Sequence, residues 1–289
     1  GLDGKGPPAA KDDADRKSAL PRPADWIGGP GGIKPDHTPW QQEQNRYAFV
    51  DQMAALRPSV QGPGNLERFD YWLNTFRYLR AVGQLGCMRG ELDDQVKKLD
   101  AEKVADAKKR LAEAALPLRL AMARQWEQVI TLQLAVTDTP GGMGTISNLV
   151  QHVYAQQHLV DGHDAKLVAA LGKDLPAEAA PTGKYLGKPR IIVPSPRSRL
   201  AAGEALDLKV IVLDNAPAAN VTVHLRPMGG GEFTALAAKH VARGVYRAEL
   251  PAAGAEPVEY YVTARTAGGA ELTWPASAPK LCETMVVTP

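Results

Sequence analysis

Cysteine is nearly absent: Cys87 and Cys282 are the only two in 289 residues. That is too few for a disulfide-built scaffold. The two lie in a predicted helix and in the last predicted strand, and a bridge would need their Cα atoms within roughly 7 Å. Two free thiols are the simpler reading. Aromatic residues are sparse at 6%, and no charge sign dominates, with 34 Lys+Arg against 32 Asp+Glu. This balance excludes a strongly basic nucleic-acid binder and an acidic tail protein. No apolar run reaches the roughly 18 residues that a membrane-spanning helix requires. Catalytic signatures are missing as well. There is no phosphate-binding loop ending in Gly-Lys-Ser/Thr, no zinc-type pair of histidines four apart, and no nucleophile–base constellation. No cofactor and no metal ion are therefore expected.

What is present is a chain that is 44% hydrophobic, with Gly 27 and Pro 23. It opens at Gly1 with a stretch rich in Gly, Pro, Asp and Lys, which lacks the apolar surface to offset its ordering entropy. Residues 1–24 are read as a linker or extended arm of a longer polypeptide. From Asn65, apolar residues recur at helical spacing, with Phe69, Trp72, Leu73, Phe76, Leu79 and Gly83 on one face. Trp72 is accordingly expected in the core. Glu91, Asp93 and Asp94 read as the end of this helix and the start of the next. A second long helix is predicted over 101–136, with Trp126 buried and a kink or split near residues 113–117 imposed by Pro117. Shorter helices are expected at 45–57 and 145–156. Together these form a helical bundle over residues 25–180.

Residues 169–190, rich in Pro, Gly and Ala, mark a domain boundary. Beyond them the hydrophobic period falls to two. Strands are predicted at 190–194, 205–213, 221–227, 244–251, 257–266, 268–275 and 282–288, with 232–241 a further candidate. Short strands at this spacing read as an antiparallel sandwich over residues 181–289, immunoglobulin/fibronectin-like in class and without the antibody-type cysteine signature. A barrel is the alternative for this half. The expected molecule is thus multi-domain, an all-α bundle followed by an all-β sandwich.

Three runs, NLERFDYWLNTFRYLRAVGQLGCMRGEL, LPLRLAMARQWEQVI and TDTPGGMGTISN, are together similar to a helical region of large bacterial glycoside-hydrolase-like proteins. In those proteins this region follows a (β/α) barrel. The segments KPRIIVPSPRSRLAAGEALDLKVIVLDN, GGGEFTALAAKHVARGVYRAELP and VEYYVTA resemble the β-domain that closes them. The resemblance covers roughly residues 24 to 289. It implies a C-terminal accessory region of a polysaccharide-degrading glycoside hydrolase, located outside the cytoplasm in the periplasm or extracellular space. The partners it implies are the missing catalytic domain and a polysaccharide or oligosaccharide. This chain shows no βα alternation, so the catalytic carboxylates at barrel strand ends have no counterpart and no catalytic residue is assigned. A stand-alone extracellular binding or adhesion protein, using the sandwich for partner recognition, is the alternative.

Sugar recognition needs an aromatic ring under the C–H face of a sugar, with amides or acids beside it. Trp26 and Trp40 fall in irregular Gly/Pro-rich sequence, and Trp274 lies near a strand end. Tyr260 and Tyr261 are adjacent in a strand, so one of them faces away from the core. Asn148 follows the Gly-rich TDTPGGMGTIS, where a turn before a helix would let backbone N–H groups approach a ligand. Trp26, Trp40, Asn148, Tyr261 and Trp274 are the candidate carbohydrate contacts. Glu67 and Asp70, three apart on a helix, are read as a solvated, ion-paired face rather than a catalytic pair. His152, His158, Asp161, His163 and Asp164 are read as a polar helix end and turn.

Overall fold

The computed structural model describes residues 21, 23–25, 32–252, 254 and 256–288. The helical half opens with a two-residue ladder, β1 (Ala24–Asp25) with β2 (Gly32–Ile33). Two small helices follow, α1 (Trp40–Glu43) and α2 (Ala48–Leu56). The long hairpin comes next, α3 (Pro63–Ala101) and α4 (Ala105–Ala135), then α5 (Pro140–Asn148), a π-helical stretch Leu149–Gln156, and α6 (Asp164–Leu171). Gly172 closes α6 in the left-handed conformation, at φ 67°, where glycine has no steric cost.

The hairpin turns at residues 102–104, not at the acidic run 91–94. Glu91, Asp93 and Asp94 sit inside α3, where Arg89 pairs with Asp93 and Lys97 with Asp94 on neighbouring turns. Acids with such partners do not break a helix. The actual stop is Glu102, whose carboxylate accepts from the N–H groups of Lys103 and Val104. Those bonds hold its pKa below the ordinary glutamate value. Pro117 lies inside an unbroken α4. It is exposed, so water can satisfy the carbonyl that proline leaves without a donor.

Two cores stabilise this half. The larger one joins α3 from Ala81 onward to α4, α6 and the π-helical stretch, with Leu85, Leu92, Met122 and Trp126 at its centre. A smaller one places Phe69, Leu73 and Phe76 of α3 against Tyr47, Val50 and Met53. Three glycines of α3 permit the closest approach of the incoming chain. A Cβ on Gly86 would stand 2.7 Å from the Lys34 carbonyl oxygen, and one on Gly90 would stand 2.2 Å from that of Asp36. At Gly83 it would stand 2.2 Å from the Tyr47 hydroxyl.

The second half is a sandwich of two sheets. One runs β4 (Arg199–Ala201), β12 (Glu283–Thr288), β10 (Val258–Arg265), β6 (Asn220–Pro227), β7 (Thr234–Ala237), with β11 (Glu271–Trp274) paired to the far half of β10. The other runs β3 (Arg190–Ile192), β5 (Leu206–Leu213), β9 (Val245–Leu250), β8 (Lys239–Ala242). All pairings are antiparallel except β4 with β12. Inward residues alternate as the period of two requires: Leu206, Leu208, Val210 and Val212 of β5 meet Val221, Val223, Tyr260 and Val262 of the facing sheet. Helical bundle and sandwich follow each other as the change of period implies. The candidate strand at 232–241 is two strands, β7 and β8, one in each sheet, and β4 is an addition to the predicted set.

Candidate functional site

The length mismatch of the hairpin creates the site. As antiparallel partners, α3 has 39 residues and α4 has 31, so the first two turns of α3 run past the end of α4. The sandwich docks into that step. Arg190, the first residue of β3, donates to the carbonyls of Leu134 and Ala135 in the last turn of α4 and pairs with Asp138. A cation at a helix C-terminus meets both the free carbonyls and the negative end of the dipole. Thr182 adds bonds from its N–H and hydroxyl to Glu127, at 2.5 and 2.6 Å. The Ala276 N–H approaches Glu67 Oε2 at 3.4 Å.

Between α3 and the sandwich lies a groove of about 560 Å³. Its helical wall carries Glu67, Tyr71, Trp72 and Asn74, and its strand wall carries Trp274 and Glu283. Trp72 is 54% exposed and Tyr71 40%, which corrects the assignment of Trp72 to the core. Leu73 is buried, with Phe69 and Phe76 half-buried beside it. Trp72 stands at the margin of this stripe, opposite the end of α4, where no helix covers it. Its ring is 6.2 Å from Phe76 and nearly parallel, and meets Tyr71 edge-on at 5.4 Å. Trp126, by contrast, is in the core as expected.

The charges of the groove divide into neutralised and free. Asp70 is held by Nε and an Nη of the Arg57 guanidinium, each at 2.7 Å, so the ion pair expected on this face forms with a residue just past the end of α2. Arg68 turns back to Asn65, and Arg77 to Asn74. Glu283 has no ion-pair partner among the described residues. Burial raises its pKa above the ordinary glutamate value, and the charge of Glu67 raises it further. Behind it, Tyr260 stands opposite Glu283 in the β10–β12 ladder. Its hydroxyl is buried without a partner among the described residues, and its ring lies 6.2 Å from that of Trp274.

The candidate contacts read from sequence do not converge. Trp26 lies outside the described residues, as do residues 27–31. Trp40 begins α1, packs on Tyr47 at 5.7 Å, and lines a different cleft of about 620 Å³ with Asn45, Gln84 and Gln128. Asn148 borders a shallower depression with Tyr78 and Gln133. The glycines before it belong to α5 itself, and the Gly142 N–H is taken by the Thr139 hydroxyl at 3.1 Å, so no open anion cradle forms there. Tyr260 is the buried member of its pair. Tyr261 lies on the outer sheet face, stacked on His224 at 4.4 Å with Phe233 edge-on. Of the described candidates, Trp274 alone reaches the groove. The histidine-rich segment is dispersed: His158 faces Asp161, His163 faces Asp93, and Asp164 pairs with the buried Arg119. Among the described residues no group of three or more such side chains converges on a metal position.

Tyr71, Trp72 and Glu283 are the groove residues that sequence reasoning passed over. One signal was readable. Glu283 shares its strand face with the buried Met285, so the strand alternation already points an acid inward.

No protein-family model matches the chain, and no curated protein matches it. Among solved structures it is similar to an engineered protein at 16% identity and a TM-score of 0.29. The match covers 47% of this chain and 29% of the other. Likeness at that level carries no argument for either fold or function.

Proposed function

We propose that this chain is the non-catalytic C-terminal accessory region of a polysaccharide-degrading glycoside hydrolase, working outside the cytoplasm. In this reading the bundle supports the catalytic barrel of the parent protein, and the groove between bundle and sandwich contacts the saccharide chain. The observation that supports it is the placement of Tyr71, Trp72 and Trp274 in one cleft beside Asn74, Glu67 and Glu283. Aromatic faces stack on the C–H faces of sugar rings, while amides and carboxylates take the hydroxyls. Domain junctions are a common position for such clefts. The texture shared with glycoside-hydrolase-like proteins supplies the class of ligand.

The test is titration of the chain with a panel of plant and microbial oligosaccharides, followed by calorimetry or ligand-observed NMR. Binding by at least one saccharide is expected, with a loss of about 1–3 kcal/mol in Trp72→Ala, a range taken from aromatic stacking on planar ligands. Because Trp72 is half exposed, its removal should leave the melting temperature nearly unchanged. Absence of binding across the panel, or binding indifferent to Trp72→Ala, would refute the reading. Glycoside turnover by the purified chain would refute its non-catalytic part.

A partner-binding sandwich remains the second reading. It draws on the outer-face platform of Tyr261, His224 and Phe233, with the Arg226 guanidinium 4.2 Å over the Phe233 ring.

A further inference from the structure

The groove holds more negative charge than it neutralises. Asp70 is occupied by Arg57, and Asp138 by Arg190. Arg68, the remaining cation on the wall, hydrogen-bonds to the neutral amide of Asn65 one turn back and keeps its charge, so one positive charge stands against two carboxylates, Glu67 and Glu283. Glu67 has only the long N–H contact from Ala276, and Glu283 has no ion-pair partner among the described residues. These two carboxylates are close enough for the charge of one to be felt by the other. They belong to different domains, and the aromatic rings of Trp72 and Trp274 line the same cleft.

A partly buried carboxylate with a like charge beside it is unfavourable in the empty protein. A ligand carrying positive charge relieves both costs, while an anionic ligand adds to them. Aromatic faces favour the same sign, since a cation over a ring is attracted by its negative π-face. A side-chain amine on a sugar ring joins these features, because the ring offers C–H groups to stack and the ammonium offers three N–H donors to two carboxylates. Uronic or sulfated sugars would meet Glu67 and Glu283 with repulsion.

Building on the saccharide reading above, we propose that the groove selects amine-bearing saccharides, with Glu67 and Glu283 as the charge-reading pair and Trp72 and Trp274 as the stacking walls.

The experiment titrates the full chain with oligomers of 2-amino-2-deoxyglucose, with their N-acetylated counterparts and with oligogalacturonate. All are measured at one pH at which the free amine is protonated. The amine oligomer is expected to bind at least tenfold more tightly than the N-acetylated one, and the uronate to show no binding. Added salt should reduce this preference, because screening weakens attraction between exposed charges. The double variant Glu67→Gln/Glu283→Gln should lose the preference while still binding the neutral oligomer, and Trp72→Ala should weaken both. Equal affinity for amine and N-acetyl oligomers overturns the charge-selection proposal and leaves the saccharide reading standing. So does a preference that survives in the double variant. Failure of all three oligomers to bind, together with failure of the wider saccharide panel, overturns both.

Discussion

Replacing Gly90 with alanine tests how closely the chain is packed around α3. At an ordinary helix position this change would stabilise by about 1 kcal/mol, from the difference in helix propensity. At Gly90 the new Cβ would lie 2.2 Å from the Asp36 carbonyl oxygen, 2.5 Å from its carbon and 2.9 Å from the His37 nitrogen. All three are backbone atoms, so no rotamer change can clear the clash, and the segment before α1 must shift by about 1 Å. Overpacking of this kind costs typically 1–3 kcal/mol. The shift also strains the bond from the Asp36 N–H to the Gly86 carbonyl, 2.9 Å long, which is worth about 1 kcal/mol. The net expectation is a destabilisation of about 1–3 kcal/mol. Gly144 is the internal control, since it too is inside a helix but a Cβ there meets nothing within 4 Å. Gly144→Ala should therefore stabilise by roughly 0.5–1 kcal/mol. Urea denaturation followed by circular dichroism at the helical band measures both variants. If Gly90→Ala stabilises as Gly144→Ala does, the claimed contact between α3 and residues 34–37 is wrong.

Three further outcomes follow from the same structure. Glu283→Gln should raise the melting temperature at neutral pH and do little in acid. The folded state holds the Glu283 proton more tightly than the unfolded chain does, so stability is fully present below the unfolded glutamate pKa and falls as pH rises through the folded one. A larger gain at acid pH than at pH 7 would contradict this. Asp164→Ala should cost about 3 kcal/mol by leaving the Arg119 guanidinium, 1% exposed, without its charge partner. Arg119→Met should cost less, because it leaves behind only the more exposed Asp164, and the two unfolding midpoints decide the order. Arg190→Ala should free the C-terminal carbonyls of α4 and loosen the docking of the sandwich. Small-angle scattering is expected to show a larger radius of gyration with both halves still folded, and an unchanged profile would mean that the other junction contacts suffice.

Much of this protein is legible in one dimension. The period near 3.6 before residue 180 and the period of two after it determine which elements form, because each buries one face. Trp126 sits in the core where that patterning places it, and Val210 and Val223 face inward from strands expected at 205–213 and 221–227. The candidate site was decided at another level. Trp72 satisfies the same spacing as Leu73 and Phe76, and nothing in its neighbours in sequence says that α4 ends opposite it. The unequal lengths of α3 and α4, and a turn at Glu102 rather than at the acidic run 91–94, leave Trp72 exposed at the start of α3. Glu283 is more than 200 residues from Glu67, and only the docking of the sandwich through Arg190 sets the two in one groove. Periodicity reports which face of an element is apolar. Which part of that face finds a neighbour depends on how far the neighbour extends, and that is a property of the assembled chain.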